Sequence, residues 1–407
     1  MNNLTAEHLM PFSVDLSSEV LGNTFANPIV LGSGSLDERV EQVDAFLATH
    51  VGAIVPRTTR FEYAPGRDIH PSPHLDIQQR KGNMRNAEWT GYPIEYWRPH
   101  LERLSESGRI IMSVSGRDIA GCIEVCKELD SYGFPFFEIN ISCAHSNDAY
   151  GFITRNSEHI QSLIRGIKEI GVKTPLALKL GHSDFIVPLA IAAQEAGVDA
   201  IVAINTVGPV LDFDITTGKP EPTLGIAGSK GGLSGSAIFN TALTDVADLS
   251  RHLNIPVIAC GGVSTAEHAI KMIMAGASLV EVYTAAHMRG DRAPQYLNNL
   301  IQNVGGWLKS HGYDKLSALR GMALPLLETG NQMKPIIPQL VENLCIGCQK
   351  CVVVCNVPGA IAMVQSDVTP INESGLIPEI SEACIGCGAC VTICPTDALP
   401  ITWQAEG

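Results

Sequence analysis

Eight of the twelve cysteines crowd into two runs near the end of the chain. From Cys345 the spacing is C-x2-C-x2-C-x3-C, ending at Cys355, and it repeats from Cys384 to Cys394, with Pro395 next. Packing four thiolates into eleven residues is the chemistry of 4Fe-4S clusters, in which the fourth cysteine of each run ligates the other cluster. One cluster is therefore expected on Cys345, Cys348, Cys351 and Cys394, and the other on Cys384, Cys387, Cys390 and Cys355. Zinc is the competing reading, but four-thiolate zinc sites usually pair two C-x2-C units across a longer loop. A further cysteine, Cys143 in "EINISCAHSN", stands apart at the end of an apolar run. Cys122 and Cys126 fall on one helix face and read as inert core residues.

The elements that hold Cys143 recur along the first 330 residues. Eight short apolar, β-branched runs start near residues 27, 52, 110, 134, 175, 200, 256 and 279, with amphipathic segments between them. Continuous apolar strands separated by helices are parallel strands buried on both faces, and eight of them predict a (β/α)8 barrel. A doubly wound sheet is the main competitor. "IAGCIEVCKELDSYG", "SEHIQSLIRGIKEIG" and "TAEHAIKMIMAGA" carry the helical i, i+3, i+4 pattern. The strands end in polar or small residues: Ser33, Arg57, Asn140, Lys179, Asn205 with Thr206, Gly261 with Gly262, and Tyr283 with Thr284. In a barrel these ends share one mouth, where active sites sit. "CGGVST" before a helix after the seventh strand is suited to phosphate.

The cysteine runs form a small α+β unit over 343–407, of ferredoxin type, joined to the barrel (1–330) by a proline-containing linker at 331–342. Net charge is −14, which argues against nucleic acid as a partner. No apolar run reaches the roughly 18 residues of a membrane span. "MNNLTAEHLM" lacks the features of a secretory signal, so a cytoplasmic location and reduced thiols are expected. One-electron carriers beside a phosphate-binding barrel call for a cofactor that collects single electrons and delivers a pair, as flavin does. No G-x-G-x-x-G follows a strand, so NAD(P) has no evident site and electrons are expected to pass to or from a separate protein.

The ordered set "NPIVLGSGS", "EINISCAH", "LALKL", "AINTV", "GGLSGSAI" and "CGGV", followed by the double cysteine pattern, resembles the flavin and iron-sulfur part of dihydropyrimidine dehydrogenases. More broadly it resembles the dihydroorotate dehydrogenase class. The resemblance runs from about residue 20 to 400. It implies FMN against Gly32, Ser33 and Thr58, with Lys179, Asn140 and Asn205 near its ring. Gly235, Gly261, Gly262, Tyr283 and Thr284 are then at its phosphate end. Cys143 matches the family's proton donor or acceptor, and Asn86, Glu88, Asn140, Asn205 and Thr206 match its pyrimidine contacts. His145 is left as a substrate contact or a plain loop residue. The implied reaction reduces the C=C of uracil or thymine, or runs in reverse, with electrons exchanged with an NAD(P)H-oxidising flavoprotein or a ferredoxin. An oligomer is expected.

Three departures bear on the substrate. Arg57 replaces the family's lysine after the second strand, Ala144 replaces the proline after the catalytic cysteine, and the following loop is shorter and carries Tyr150 and Phe152. A planar, bidentate Arg57 would suit a carboxylate, as in orotate, whereas Asn86 and Glu88 favour uracil or thymine. The alternatives are a dihydroorotate dehydrogenase, a ferredoxin-linked reductase of another unsaturated ring, a non-catalytic electron-transfer subunit, and a non-redox barrel lyase.

Overall fold

The computed structural model describes residues 14–61, 74–76, 83–86, 91–116, 118–142, 156–221, 231–327, 336–366 and 374–401. It divides into two compact units, Met1–Leu326 and Leu327–Gly407.

All eight anticipated strands form in the first unit. They are β1 (Ile29–Leu31), β2 (Ala53–Ile54), β3 (Met112–Val114), β4 (Phe137–Asn140), β5 (Leu176–Leu180), β6 (Ala200–Ala203), β7 (Val257–Cys260) and β8 (Leu279–Val282). The order β2-β1-β8-β7-β6-β5-β4-β3 is parallel throughout. Parallel bridges Ile54–Ile110 and Thr59–Val114 join β2 to β3 and close the ring, which excludes the doubly wound sheet. An antiparallel hairpin, Ser18–Val20 with Asn23–Phe25, plugs the bottom, where Val20 and Phe25 pack on inward residues of the strands. Leu21 and Gly22 both take positive φ at its two-residue turn, which is the geometry that matches strand twist.

The crossover helices form where the apolar period predicts them. Ser157–Glu169 buries Ile160, Leu163, Ile164 and Ile167, and the Asn156 side chain accepts from the Glu158 and His159 amides at its start. Ile119–Leu129 is capped by Asp118, and Ala266–Met274 by Thr265. Each fully buried Leu or Ile contributes about 1.5–3 kcal/mol. Cys122 and Cys126 are fully buried on Ile119–Leu129, and the hydrogen bond to Cys122, with burial, raises the Cys126 pKa. Both therefore act as core thiols.

A second, four-stranded antiparallel sheet has no counterpart in the sequence reading. It runs Val207–Val210, Gly231–Gly235, Asn83–Asn86, His74–Asp76 in spatial order, and so ties the segment after β2 to the segment after β6. In the other unit, β9 (Ile361–Gln365) pairs antiparallel with β10 (Leu376–Ile380), alongside two short helices, Lys350–Val354 and Ala389–Ile393.

Candidate functional site

Alternate residues of a strand point into the barrel. In its lower half these are apolar, among them Val30, Ile111, Phe136, Ala177, Ile258 and Leu279. Two residues further along the same strands, the inward positions are Gly32, Ser113, Glu138, Lys179, Cys260 and Glu281. Strand register sets Ser113 beside Glu138 and Cys260 beside Glu281. The buried Lys179 ammonium then donates to Glu138 Oε2 at 2.9 Å and to Glu281 Oε2 at 2.7 Å.

Two carboxylates on one ammonium would leave a surplus buried charge, which is costly, so one carboxyl keeps its proton. Burial, then the Glu281 charge, pushes Glu138 up to about 8. For Glu281 burial acts in the same upward sense, but Lys179 and the hydrogen bond from Glu138 outweigh it and the net direction is down. Burial alone would discharge Lys179, and its anionic surroundings reverse that. Burial also raises the Cys260 thiol. The cluster is thus an ammonium, one carboxylate, one carboxylic acid and a thiol, neutral in sum.

A hydrogen-bonded line climbs from this cluster to the mouth. Thr206 N–H donates to Asn205 Oδ1 (2.8 Å), and Asn205 Nδ2 donates to Asn140 Oδ1 and Ser142 Oγ (3.1 Å each). Asn140 Nδ2 donates to Thr58 Oγ1 (2.9 Å), which contacts Ser113 Oγ (2.9 Å), and Ser113 donates to Glu138 Oε1 (2.9 Å). Because Ser113 spends its one hydrogen on Glu138, it accepts from Thr58, so the line from Asn205 through Asn140, Thr58 and Ser113 donates in one sense toward Glu138, with a side branch from Asn205 to Ser142.

Beside this line lies a cleft with about 530 Å³ of empty space, lined by Gly32, Ser33, Lys179, Asn205, Thr206, Gly235, Gly261, Gly262, Tyr283 and Thr284, among others. At one end stands the Lys179 cluster. At the other lie the backbone of Gly235, Gly261 and Gly262, and the hydroxyls of Thr284 and Ser234, the first donating to the second at 2.8 Å. Gly262 has φ +72°, and a Cβ there would meet the Phe239 N and Cα at 2.6 Å. Glycine is therefore required to seat this loop on the helix Phe239–His252. An elongated group with a planar polar end and an anionic end, such as FMN, fits these donors.

The anticipated FMN residues Gly32, Ser33, Lys179, Asn205, Gly235, Gly261, Gly262, Tyr283 and Thr284 all line this cleft. Thr58 and Asn140 join it through the hydrogen-bonded line, and Ser33 Oγ accepts from Thr58 N–H at 3.1 Å. The Tyr283 hydroxyl is committed elsewhere, to Ser35 Oγ (2.7 Å) and His287 Nδ1 (3.1 Å), and so holds the loop after β1 shut. Arg57 is buried and does not line the cleft. It sits close enough to the buried Asp37 to oppose the upward push that burial gives that carboxyl.

Asn86 belongs to the second sheet, where it pairs with Gly232, and a Cβ at Gly232 would meet Thr206 Oγ1 at 2.1 Å. Register thus brings the Asn86 backbone to the neighbourhood of Thr206. The Asn86 side chain, and Cys143, Glu88, His145, Tyr150 and Phe152 altogether, lie outside the described residues. The sequence reading missed Glu138 and Glu281. The clue was a glutamate at an inward position of an otherwise apolar strand, which demands a partner.

In the smaller unit, one cavity of about 340 Å³ is lined by Cys345, Cys348, Cys351 and Cys394, and another of about 310 Å³ by Cys384, Cys387, Cys390 and Cys355. Each pocket thus gathers one of the two crossed groups of four cysteines.

Comparison with known proteins accords with this geometry. Residues 15–304 match the family model of dihydroorotate dehydrogenase, and residues 344–399 match a 4Fe-4S dicluster domain. The "Dihydroorotate dehydrogenase B (NAD(+)), catalytic subunit" of Thermococcus kodakarensis is 31% identical over 316 residues, which is 76% of this chain and 98% of that protein. The protein of that name in Methanocaldococcus jannaschii is 32% identical over 284 residues, 68% of this chain and 88% of the relative. Among the described residues, no helix is long and apolar enough to cross a membrane. The chain belongs to the dihydroorotate dehydrogenase family, and is an FMN-dependent oxidoreductase acting on CH–CH bonds that carries two 4Fe-4S clusters on the same polypeptide.

Proposed function

We propose that this enzyme interconverts a dihydropyrimidine and its 5,6-unsaturated form, with dihydroorotate and orotate as the first pair to test, because relatives named for that reaction match it over 316 and 284 residues. The observation that carries a pyrimidine reading is the aligned amide pair. Asn140 Nδ2 gives one hydrogen to Thr58 and keeps one, while both Asn205 Nδ2 hydrogens are engaged and its Oδ1 retains a lone pair. An N–H donor beside a carbonyl acceptor reads the edge of a cyclic amide, which a purely apolar wall would not do.

FMN supplies the hydride exchange with one substrate carbon. In this assignment Gly32, Ser33, Thr58 and Lys179 would hold its ring end, and Gly235, Gly261, Gly262, Tyr283 and Thr284 its phosphate end. Cys143, the residue directly after the buried Ser142, gives or takes the proton at the neighbouring carbon. Asn205, tied to Ser142 Oγ, fixes where the chain leaves β4 just before that cysteine. The neutral Lys179 cluster keeps one positive charge aimed at the ring end without adding net charge to the barrel interior. The smaller unit's clusters, on the ligand sets read from the sequence, pass electrons to or from a separate flavoprotein or ferredoxin.

Uracil or thymine is the second reading. It is favoured by the register that brings the Asn86 backbone toward Thr206. Anaerobic reduction of the flavin followed by addition of orotate, uracil or thymine separates the two, since only the true substrate reoxidises it. If none does, the pyrimidine assignment fails. Cys143→Ala should keep flavin and clusters bound while lowering turnover by at least about 100-fold; near-normal rates would remove Cys143 from the mechanism.

A further inference from the structure

The two cysteine runs fold into matched halves. Gln349 (φ +62°) and Gly388 (φ +75°) both start a five-residue helix in the left-handed region. The helices end at Cys355 (φ −72°, ψ 116°) and Cys394 (φ −69°, ψ 116°), which have nearly the same backbone. Side chains at matched positions can therefore be compared directly, while a backbone donor to sulfur also serves the second group, from Gly386 N–H to Cys384 Sγ at 3.4 Å.

The cavity of Cys345, Cys348, Cys351 and Cys394 is lined by Gln349, Lys350 and Thr396. At the matched positions the cavity of Cys384, Cys387, Cys390 and Cys355 has Gly388, Ala389 and Val357. The two cross-over cysteines repeat the contrast. Cys394 Sγ accepts from the Ala398 amide at 3.2 Å and lies 3.8 Å from the Thr396 hydroxyl. Cys355 Sγ instead points at the Val357 carbonyl, 3.6 Å away, a contact that only the protonated thiol can make. Once Cys355 is a ligand thiolate, that carbonyl faces it with lone pairs.

Each reduction adds one electron, hence one negative charge, to a cluster. A nearby cation and hydrogen-bond donors to the cross-over sulfur stabilise that charge, whereas a facing carbonyl does not. We propose that Lys350, Thr396 and Gln349 make the cluster on Cys345, Cys348, Cys351 and Cys394 the first to be reduced. The unit is then an ordered pair in which one cluster holds an electron before the other accepts any. This rests on the crossed ligand assignment given above.

The test is an EPR-monitored reductive titration of the intact chain with dithionite as electron donor, beside a measurement of iron. Two resolved one-electron steps are expected, separated by at least about 59 mV, the tenfold ratio for a single-electron couple. Thr396→Val and Lys350→Ala should each move the first step to lower potential and leave the second in place, with iron content unchanged. Val357→Thr should raise the second step alone. Two clusters that titrate together, or a Thr396→Val that shifts the second step, would overturn the order. Iron for fewer than two clusters in the wild type would instead defeat the ligand assignment itself.

Discussion

The two units present their chemistry in opposite ways. In the dicluster unit each group of ligands is set mainly by spacing along the chain, three cysteines within seven residues and one from the other run. In the barrel the functional cluster is assembled from Ser113, Glu138, Lys179, Cys260 and Glu281, on five different strands, and exists only because register aligns them. The first kind of site tolerates change elsewhere in the chain. The second is bound to the stability of the whole barrel, because its charges are buried and balance one another.

Melting of the barrel unit puts that contrast to the test. Lys179→Met leaves two buried carboxyls without their cation and should cost about 3–5 kcal/mol, or prevent folding outright. A loss below about 1 kcal/mol would mean the cluster is hydrated rather than buried.

The pH dependence comes next. Glu138 titrates near 8 in the fold but near 4 when unfolded, so the folded state binds the extra proton. Its contribution is complete below about pH 4 and is lost as pH rises through about 8, a decline of a few kcal/mol. Glu138→Gln, which keeps the Oε1 acceptor for Ser113, should flatten that decline across pH 5–8. An unchanged slope would assign the proton to Glu281 instead.

Thr58→Val breaks the hydrogen-bonded line between Asn140 and Ser113 and strands both partners, for about 1–3 kcal/mol. The smallest effect is expected from Cys384→Ala. It should remove one cluster's worth of iron while shifting barrel stability by no more than about 0.5 kcal/mol. A large shift would show that the two units share their stability.

The same contrast decides what could be read beforehand. All eight barrel strands announced themselves as apolar runs, because strands buried on both faces have no polar side to interrupt them. Strand-end residues such as Ser33, Lys179, Asn205 and Thr206 were legible as misfits, and they do line one cleft. Glu138 and Glu281 were overlooked inside "FPFFEINIS" and "LVEVYTA", since nothing local says that Lys179 will stand between them. The second sheet was hidden more thoroughly. Asn83–Asn86 and Gly231–Gly235 are short, polar or glycine-rich, and their pairing spans roughly 150 residues of chain, so no periodicity marks them. Arg57 is the instructive case on the other side. Its charge invited a ligand, and burial of Asp37 within its electrostatic reach, which no local pattern announced, came only with the fold.

That second sheet also limits how the enzyme can diverge. Because Asn83–Asn86 is laced residue by residue to Gly231–Gly235, a one-residue insertion in either strand would turn every later side chain to the opposite face. The loop after β2 and the loop after β6 therefore cannot drift separately. A lineage that acquires a new ring substrate through one of them would have to accept a matching change in the other, so specificity here is inherited as a pair.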